Sequence, residues 1–197
     1  MTLVSDAMIF AASAHDGMLR KGTRIPYILH PGEVAAIAAT LTDDEEVLAA
    51  AILHDVMEDC GVSEETLCAR FSARVAALVK SETQERSGDP RETWLARKQG
   101  AVARIAQAER AAKIIALSDK LSNMRAIHRD FDQYGEELFF RFHQHDKKLH
   151  AWYYRSCAVL LKDELGDTQA WQELMDHIEY VFAGIGEAIR EQEAFAG

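Results

Sequence analysis

Proline occurs only at positions 26, 31 and 90 of this 197-residue chain, so long stretches lack the residue that most strongly breaks a helix. Between those points Ala, Leu, Glu, Arg and Lys dominate, residues that lose little rotamer freedom in a helix. An all-α fold follows. A first helix is expected from about Ser5 to Met18. The segment RKGTRIPYILH, residues 20–30, reads as a loop because Gly22 and Pro26 forbid a regular helix. Pro31 then suits the first turn of a helix reaching about Leu41, since its missing N–H would find no partner there.

The best-defined helix is LTDDEEVLAAAILHDVMEDC, residues 41–60, with Thr42 or Asp43 as its N-cap and acidic residues in the first turn, where the macrodipole favours them. Further helices are expected over Ser63–Phe71, Ala73–Glu82, Arg91–Gln107 and Glu109–Ile127, with two longer ones after Gly135. The stretch TQERSGDP, residues 83–90, reads as a mobile loop within one domain spanning 1–197.

An excess of 32 Asp+Glu over 22 Lys+Arg gives a net charge of −10. That balance argues against a nucleic-acid polymer as partner, because affinity for a phosphate backbone comes from clustered Lys and Arg. A small phosphorylated substrate stays open, since a metal and a few local cations reverse the field inside one cleft. Cys60, Cys68 and Cys157 form no CxxC pair and read as reduced thiols. The N-terminal residues do not resemble a secretory signal, and no apolar run approaches the ~20 residues needed to span a bilayer. A cytoplasmic protein without a membrane partner is the expectation.

The chemistry-bearing residues are His30, the adjacent His54 and Asp55, and the distant Asp119. Two imidazoles and two carboxylates make a mixed N/O donor set, suited to a six-coordinate Mn, Fe or Co ion with open water positions and short of the thiolates of structural zinc; Mn²⁺ is the first choice. On a continuous helix His54 and Glu58 stand four residues apart, as do Asp55 and Asp59, so that one turn carries all four side chains. Without a counter-charge such a group repels itself. Taken alone, HDVMED is an ordinary solvated helix end; His30 and Asp119 change that reading only if the fold brings the four together.

Three segments in order, AHDGMLRKGTRIPYILHPGEVA, LAAAILHDVMEDC and KIIALSDKLSNMR, resemble the hydrolase domain of the RelA/SpoT family, in particular its small stand-alone alarmone hydrolases, over about residues 14–125. The resemblance implies an HD-domain helical bundle, completed by the helices after Gly135. It implies metal-dependent hydrolysis of the 3′-pyrophosphate of ppGpp or pppGpp, with His30, His54, Asp55 and Asp119 holding one Mn²⁺. By the same resemblance Glu58 and Asp59 activate and orient the attacking water, while Arg20, Lys21, Asn123 and Arg125 contact the nucleotide. Two departures bear on recognition of the substrate: Ser122 stands where larger members usually carry histidine, and Cys60 where threonine is common. The same metal chemistry on an adenine alarmone, NADPH or a nucleotide monophosphate remains an alternative, as does an idle alarmone-binding module.

His15 on the first helix reads as a core or outer hydrogen-bonding group and not a ligand, and His143, His145 and His150 as an exposed helix face. Trp152, Tyr153, Tyr154, Trp171 and Phe182, at helical spacing, read as core.

Overall fold

Capping decides where most helices of the computed structural model begin; it describes residues 1–83, 89 and 91–186. Thr2, Asp44, Ser63, Ser72, Asp146 and Thr168 each accept a backbone N–H of the following first turn through a side-chain oxygen, satisfying one of the donors a helix start leaves without a partner. The helices are α1 (Leu3–Ala14), α2 (Leu29–Ala38), α3 (Glu45–Leu53), α4 (Val56–Cys60), α5 (Glu64–Arg70), α6 (Ala73–Glu82), α7 (Trp94–Gln107), α8 (Arg110–Tyr134), α9 (Lys147–Leu165) and α10 (Gln169–Val181), with a 3-10 segment at Gly135–Arg141. No strand occurs among the described residues, where Leu19 and Pro26 form an isolated antiparallel bridge. The all-α expectation holds.

Several boundaries differ from expectation, each for a local reason. The first helix stops at Ala14 because the chain turns through Gly17, whose φ of 73° lies in the left-handed region. The cap of α3 is Asp44, not Thr42 or Asp43. Helix α2 begins two residues before Pro31, so His30 belongs to its first turn and not to the loop; a proline there still removes only an N–H that has no helical acceptor. Helix α8 runs on to Tyr134. Most of the loop expected over residues 83–90 lies outside the described residues.

The largest departure is at the HD pair. The expected single helix over residues 41–60 is split: α3 ends at Leu53, Asp55 has φ −99° and ψ −7°, and α4 starts at Val56. The His54 ring donates from Nδ1 to the Ala51 carbonyl at 2.8 Å, the acceptor that a continued helix would offer to the Asp55 N–H. The side chain thus competes with the ladder at the point where the helix breaks.

Helix α3 is the centre of the first half. Its residues 49–53 are wholly buried, with α1, α2 and α6 packed around it. Helix α8 serves the second half, lying against α2, α10, α9 and α3. The C-terminal aromatics largely follow expectation: Tyr153, Tyr154, Trp171 and Phe182 are buried, and Trp171 Nε1 donates to the Ala158 carbonyl. His150 does not belong to an exposed face. It is buried against Trp94, Phe139 and Phe142, with Nε2 at 2.8 Å from the Gln144 carbonyl, whereas His143 and His145 are exposed outside any helix.

Because Leu174 is fully buried where α10 meets the core, Leu174→Ala should lower the unfolding free energy by about 2–5 kcal/mol. Urea titration reads this as a lower midpoint at constant slope. A change of about 0.5 kcal/mol or less, typical of a surface site, would mean that α10 does not share the cooperative core.

Candidate metal centre and its cleft

Three chain segments deliver the four candidate ligands to one place. The first turn of α2 supplies His30, the break after α3 supplies His54 and Asp55, and the middle of α8 supplies Asp119. His30 Nε2 lies 3.2 Å from Asp119 Oδ1 and 3.7 Å from Asp55 Oδ2, and His54 Nε2 lies 2.9 Å from Asp55 Oδ2 and 3.7 Å from Asp119 Oδ1. Donors that share one ion at about 2.1 Å each stand no more than about 4.2 Å apart, so all four separations suit a common cation.

The hydrogen bonds behind the rings support the same reading. A carbonyl can only accept, so the contact of His54 Nδ1 with Ala51 O puts a proton on Nδ1, and the neutral ring then has its lone pair on Nε2. That Nε2 is buried and accepts no hydrogen bond, a costly state unless a cation meets it. His30 Nδ1 sits 2.9 Å from Ser122 Oγ, again turning Nε2 inward. His30, His54 and Asp55 each offer a possible ligand atom within 4.8 Å of the others, and Asp119 Oδ1 approaches both imidazoles.

The carboxylates are held in turn. Tyr27 donates to Asp55 Oδ2 at 2.6 Å, Lys120 to Asp119 Oδ2 at 2.5 Å, and Asn123 Nδ2 to Asp119 Oδ1 at 2.6 Å. Burial alone would push the Asp119 carboxyl up, but the adjacent Lys120 ammonium outweighs it and holds Asp119 well below the usual carboxylate range. Burial lowers His30 below ordinary imidazole and so favours the neutral ring that can ligate. Burial, then Asp55 and Asp59, pushes the Tyr27 phenol up, leaving it a donor at any physiological pH.

These groups stand at one wall of a cleft of about 440 Å³, also lined by Arg20, Glu58, Asp59, Glu82, Lys98, Arg104, Tyr153 and Tyr154. Arg20 Nη2 donates to Asn123 Oδ1 at 2.9 Å. Lys98 rests 4.4 Å above the Tyr153 ring, and burial, reinforced by Asp119's neighbour Lys120, brings its pKa down to about 8. A volume of this size suits a nucleotide-sized ligand, and the cations gather beside the ligand cluster despite the acidic chain.

The expected site residues thus fall into two groups. His30, His54, Asp55, Glu58, Asp59, Asp119, Arg20 and Asn123 line the cleft together. Lys21 and Arg125 do not. Lys21 is exposed at the tip of the turn closed by the Leu19–Pro26 bridge, beside Gly22 with its φ of 71°. Arg125 faces away from the cleft, forking onto Glu173 of α10 at 2.7 and 2.8 Å and reaching Glu33 of α2 at 3.0 Å. Sequence reasoning missed Tyr27, Lys98, Lys120 and Glu82, and it gave Tyr153 and Tyr154 to the core alone. The apolar run before Asp119 and the tyrosine three residues before His30 were the available signals. His15, kept out of the ligand set, is buried and stacked on Tyr27 with ring centroids 4.9 Å apart.

Comparison with known proteins points the same way. The HD-domain family model matches residues 7–142. The guanosine-3′,5′-bis(diphosphate) 3′-pyrophosphohydrolase MESH1 of Drosophila melanogaster is 35% identical over 125 residues, 62% of this chain and 68% of that protein. The enzyme of the corresponding name from Vibrio cholerae is 49% identical over 71 residues, and the match spans 36% of this chain but only 10% of that longer protein. Among solved structures, a metazoan ortholog of SpoT that hydrolyses ppGpp superposes with a TM-score of 0.71 at 26% identity, covering 91% of this chain and 95% of the other.

The relocated Arg125 has a pH signature. Its hydrogen bonds lower the Glu173 carboxyl below the usual value of 4.5, so the pair's stabilisation is complete above that value and is lost as pH falls through the depressed one. Arg125→Gln should therefore cost about 1 kcal/mol at pH 7, and the difference from wild type in urea midpoint should shrink on acidification below pH 4.5. A difference independent of pH would show that Arg125 contributes by packing alone.

Proposed function

The chain belongs to the HD-domain family, and from that premise we propose that it hydrolyses the 3′-pyrophosphate of guanosine alarmones, converting ppGpp or pppGpp to GDP or GTP and pyrophosphate. The observation that carries this reading is the convergence of His30 Nε2, His54 Nε2, Asp55 and Asp119 at one wall of a cation-lined cleft. The names of the relatives supply the substrate class, since two of them are pyrophosphohydrolases of guanosine-3′,5′-bis(diphosphate).

His30, His54, Asp55 and Asp119 would hold the divalent ion, with Mn²⁺ favoured by two imidazoles and two carboxylates. When bound, such an ion makes water nucleophilic near neutral pH and offsets phosphate charge. Around it the chain's own groups divide the work. Glu58 takes the proton of the attacking water and Asp59 orients that water, both from α4 at the cleft wall. The water oxygen bonds to the phosphorus next to the ribose 3′-oxygen as the bond from phosphorus to that oxygen breaks. The 3′-oxygen leaves as a hydroxyl, so one water is consumed for each pyrophosphate released.

Arg20 binds the transferring group, and Asn123, hydrogen-bonded to both Arg20 and Asp119, fixes it relative to the ligands. Lys98 and Lys120 keep the inner wall cationic. Preorganised charge of this kind acts most strongly where the cleft excludes water. Lys21, at the exposed turn tip, meets the nucleotide only at the rim.

Purified protein should release GDP and pyrophosphate from ppGpp with Mn²⁺ and stop when a chelator is added. Asp55→Ala should lose bound metal and turnover together, while Glu58→Gln keeps its metal and loses about 10²–10⁴-fold in kcat. A fully active Glu58→Gln enzyme would defeat the assignment of the base. Turnover of an adenine alarmone or NADPH in place of ppGpp would keep the chemistry and change the substrate, and tight ppGpp binding without turnover would make the chain an alarmone-binding module.

A further inference from the structure

His30 and His54 are oriented by different means. His54 leans on the Ala51 carbonyl, part of the backbone, whereas His30 leans on a side chain, the Ser122 hydroxyl on α8. Ser122 is itself buried, and its Oγ donates to Glu33 Oε2 of α2 at 2.8 Å. A hydroxyl has one proton, and that proton is committed to the carboxylate. Toward His30 the Ser122 oxygen can therefore only accept, so His30 carries its proton on Nδ1 and presents the Nε2 lone pair to Asp55 and Asp119. The other oxygen of Glu33 accepts from Arg125 Nη1 at 3.0 Å, and the remaining face of that guanidinium is clamped by Glu173 of α10.

The geometry points to Ser122, Glu33 and Arg125 as positioning residues for the metal centre: a relay of hydrogen bonds running from Arg125 through Glu33 and Ser122 fixes the tautomer and direction of His30 and thereby sets the affinity for the ion. The inference rests on the metal-site reading given above. Outer carboxylates that receive a proton from a ligating imidazole raise its basicity and hold its ring, and losing one typically costs ~10–100-fold in metal affinity. Here the carboxylate acts through an inserted serine. Arg125 reaches the centre from behind His30, through Glu33, and not through the cleft contacts that its place in the sequence suggested.

The test is the Mn²⁺ dissociation constant of the full chain, measured by competition with a fluorescent chelator. Ser122→Ala should weaken binding ~10–100-fold, and Ser122→Thr, which keeps the hydroxyl, should restore it. Ile178→Ala, a buried α10 change outside the relay, should lower thermal stability and leave the constant where it was. A Ser122→Ala protein within about threefold of wild type, well under the outer-partner range, would overturn the relay. So would an Ile178→Ala protein that weakens metal binding as much as Ser122→Ala, since affinity would then merely track stability. Nitrogen-15 spectra of the wild-type imidazoles decide the point independently of any variant's folding: a metal-free His30 protonated on Nε2 sinks the relay, and one protonated on Nδ1 supports it. Wild-type protein that binds no Mn²⁺ would remove the metal reading, and with it the relay's role in affinity, whereas an intact wild-type constant with an unaffected Ser122→Ala removes the relay alone.

Discussion

Two hydrogen bonds on the far side of two imidazole rings govern the centre of this molecule. His54 donates to the Ala51 carbonyl and His30 to the Ser122 hydroxyl, and through these bonds both Nε2 atoms turn toward Asp55 and Asp119. The first bond also shapes the backbone. By occupying the Ala51 carbonyl it coincides with the end of α3, and the break lets Asp55 leave the helical path while α4 restarts with Glu58 and Asp59. A single side-chain contact thus links local chain geometry to the placement of two candidate ligands, His54 and Asp55, and of Glu58 and Asp59.

Charge is arranged on a similarly local scale. The chain carries a net −10, and two ligand carboxylates only add to the negative field. Lys120, almost wholly buried, answers that field by bonding Asp119 Oδ2 and leaving Oδ1 for the cluster. A buried ion pair of this sort adds little net stability, because the desolvation of both groups offsets their attraction. Its consequence is that Asp119 stays ionised at neutral pH, which ligation requires. Arg20 and Lys98 extend the cationic wall into the cleft, so an acidic protein presents a surface suited to phosphate where it matters.

The fold class was legible because helix-compatible residues and sparse prolines are properties of sequence alone, and the nearness of His30, His54, Asp55 and Asp119 could be anticipated because motif order reports on a shared fold. What remained hidden depends on contacts between distant segments. Nothing in HDVMED announces that His54 will bond back to Ala51 and end the helix. Arg125 follows Asn123 by two positions, and proximity along the chain suggested a shared pocket. A helix turns about 100° per residue, however, which directs Arg125 away from Asn123 and toward Glu33 and Glu173. His150 failed for a related reason: its neighbours in sequence are polar, but its neighbours in space are Trp94, Phe139 and Phe142.

That rotation also explains why so much of the site depends on one helix. Asp119 and Asn123, one turn apart on α8, face the cleft and touch each other. Ser118 and Ser122 share a neighbouring face; Ser118 returns its hydroxyl to the Ile114 carbonyl within the helix, whereas Ser122 reaches out to His30 and Glu33 on α2. Lys120 lies on a third face, turned toward Glu82 and Tyr153, while Arg125, one turn on from Ser122, shares its side of the helix and spans from Glu33 to Glu173 of α10. With α2 on one side and α10 on the other, α8 cannot rotate without moving ligand, orienting hydroxyl and anchor together. A helix held on both flanks is thus the means by which an otherwise ordinary bundle keeps four donor atoms within reach of one ion.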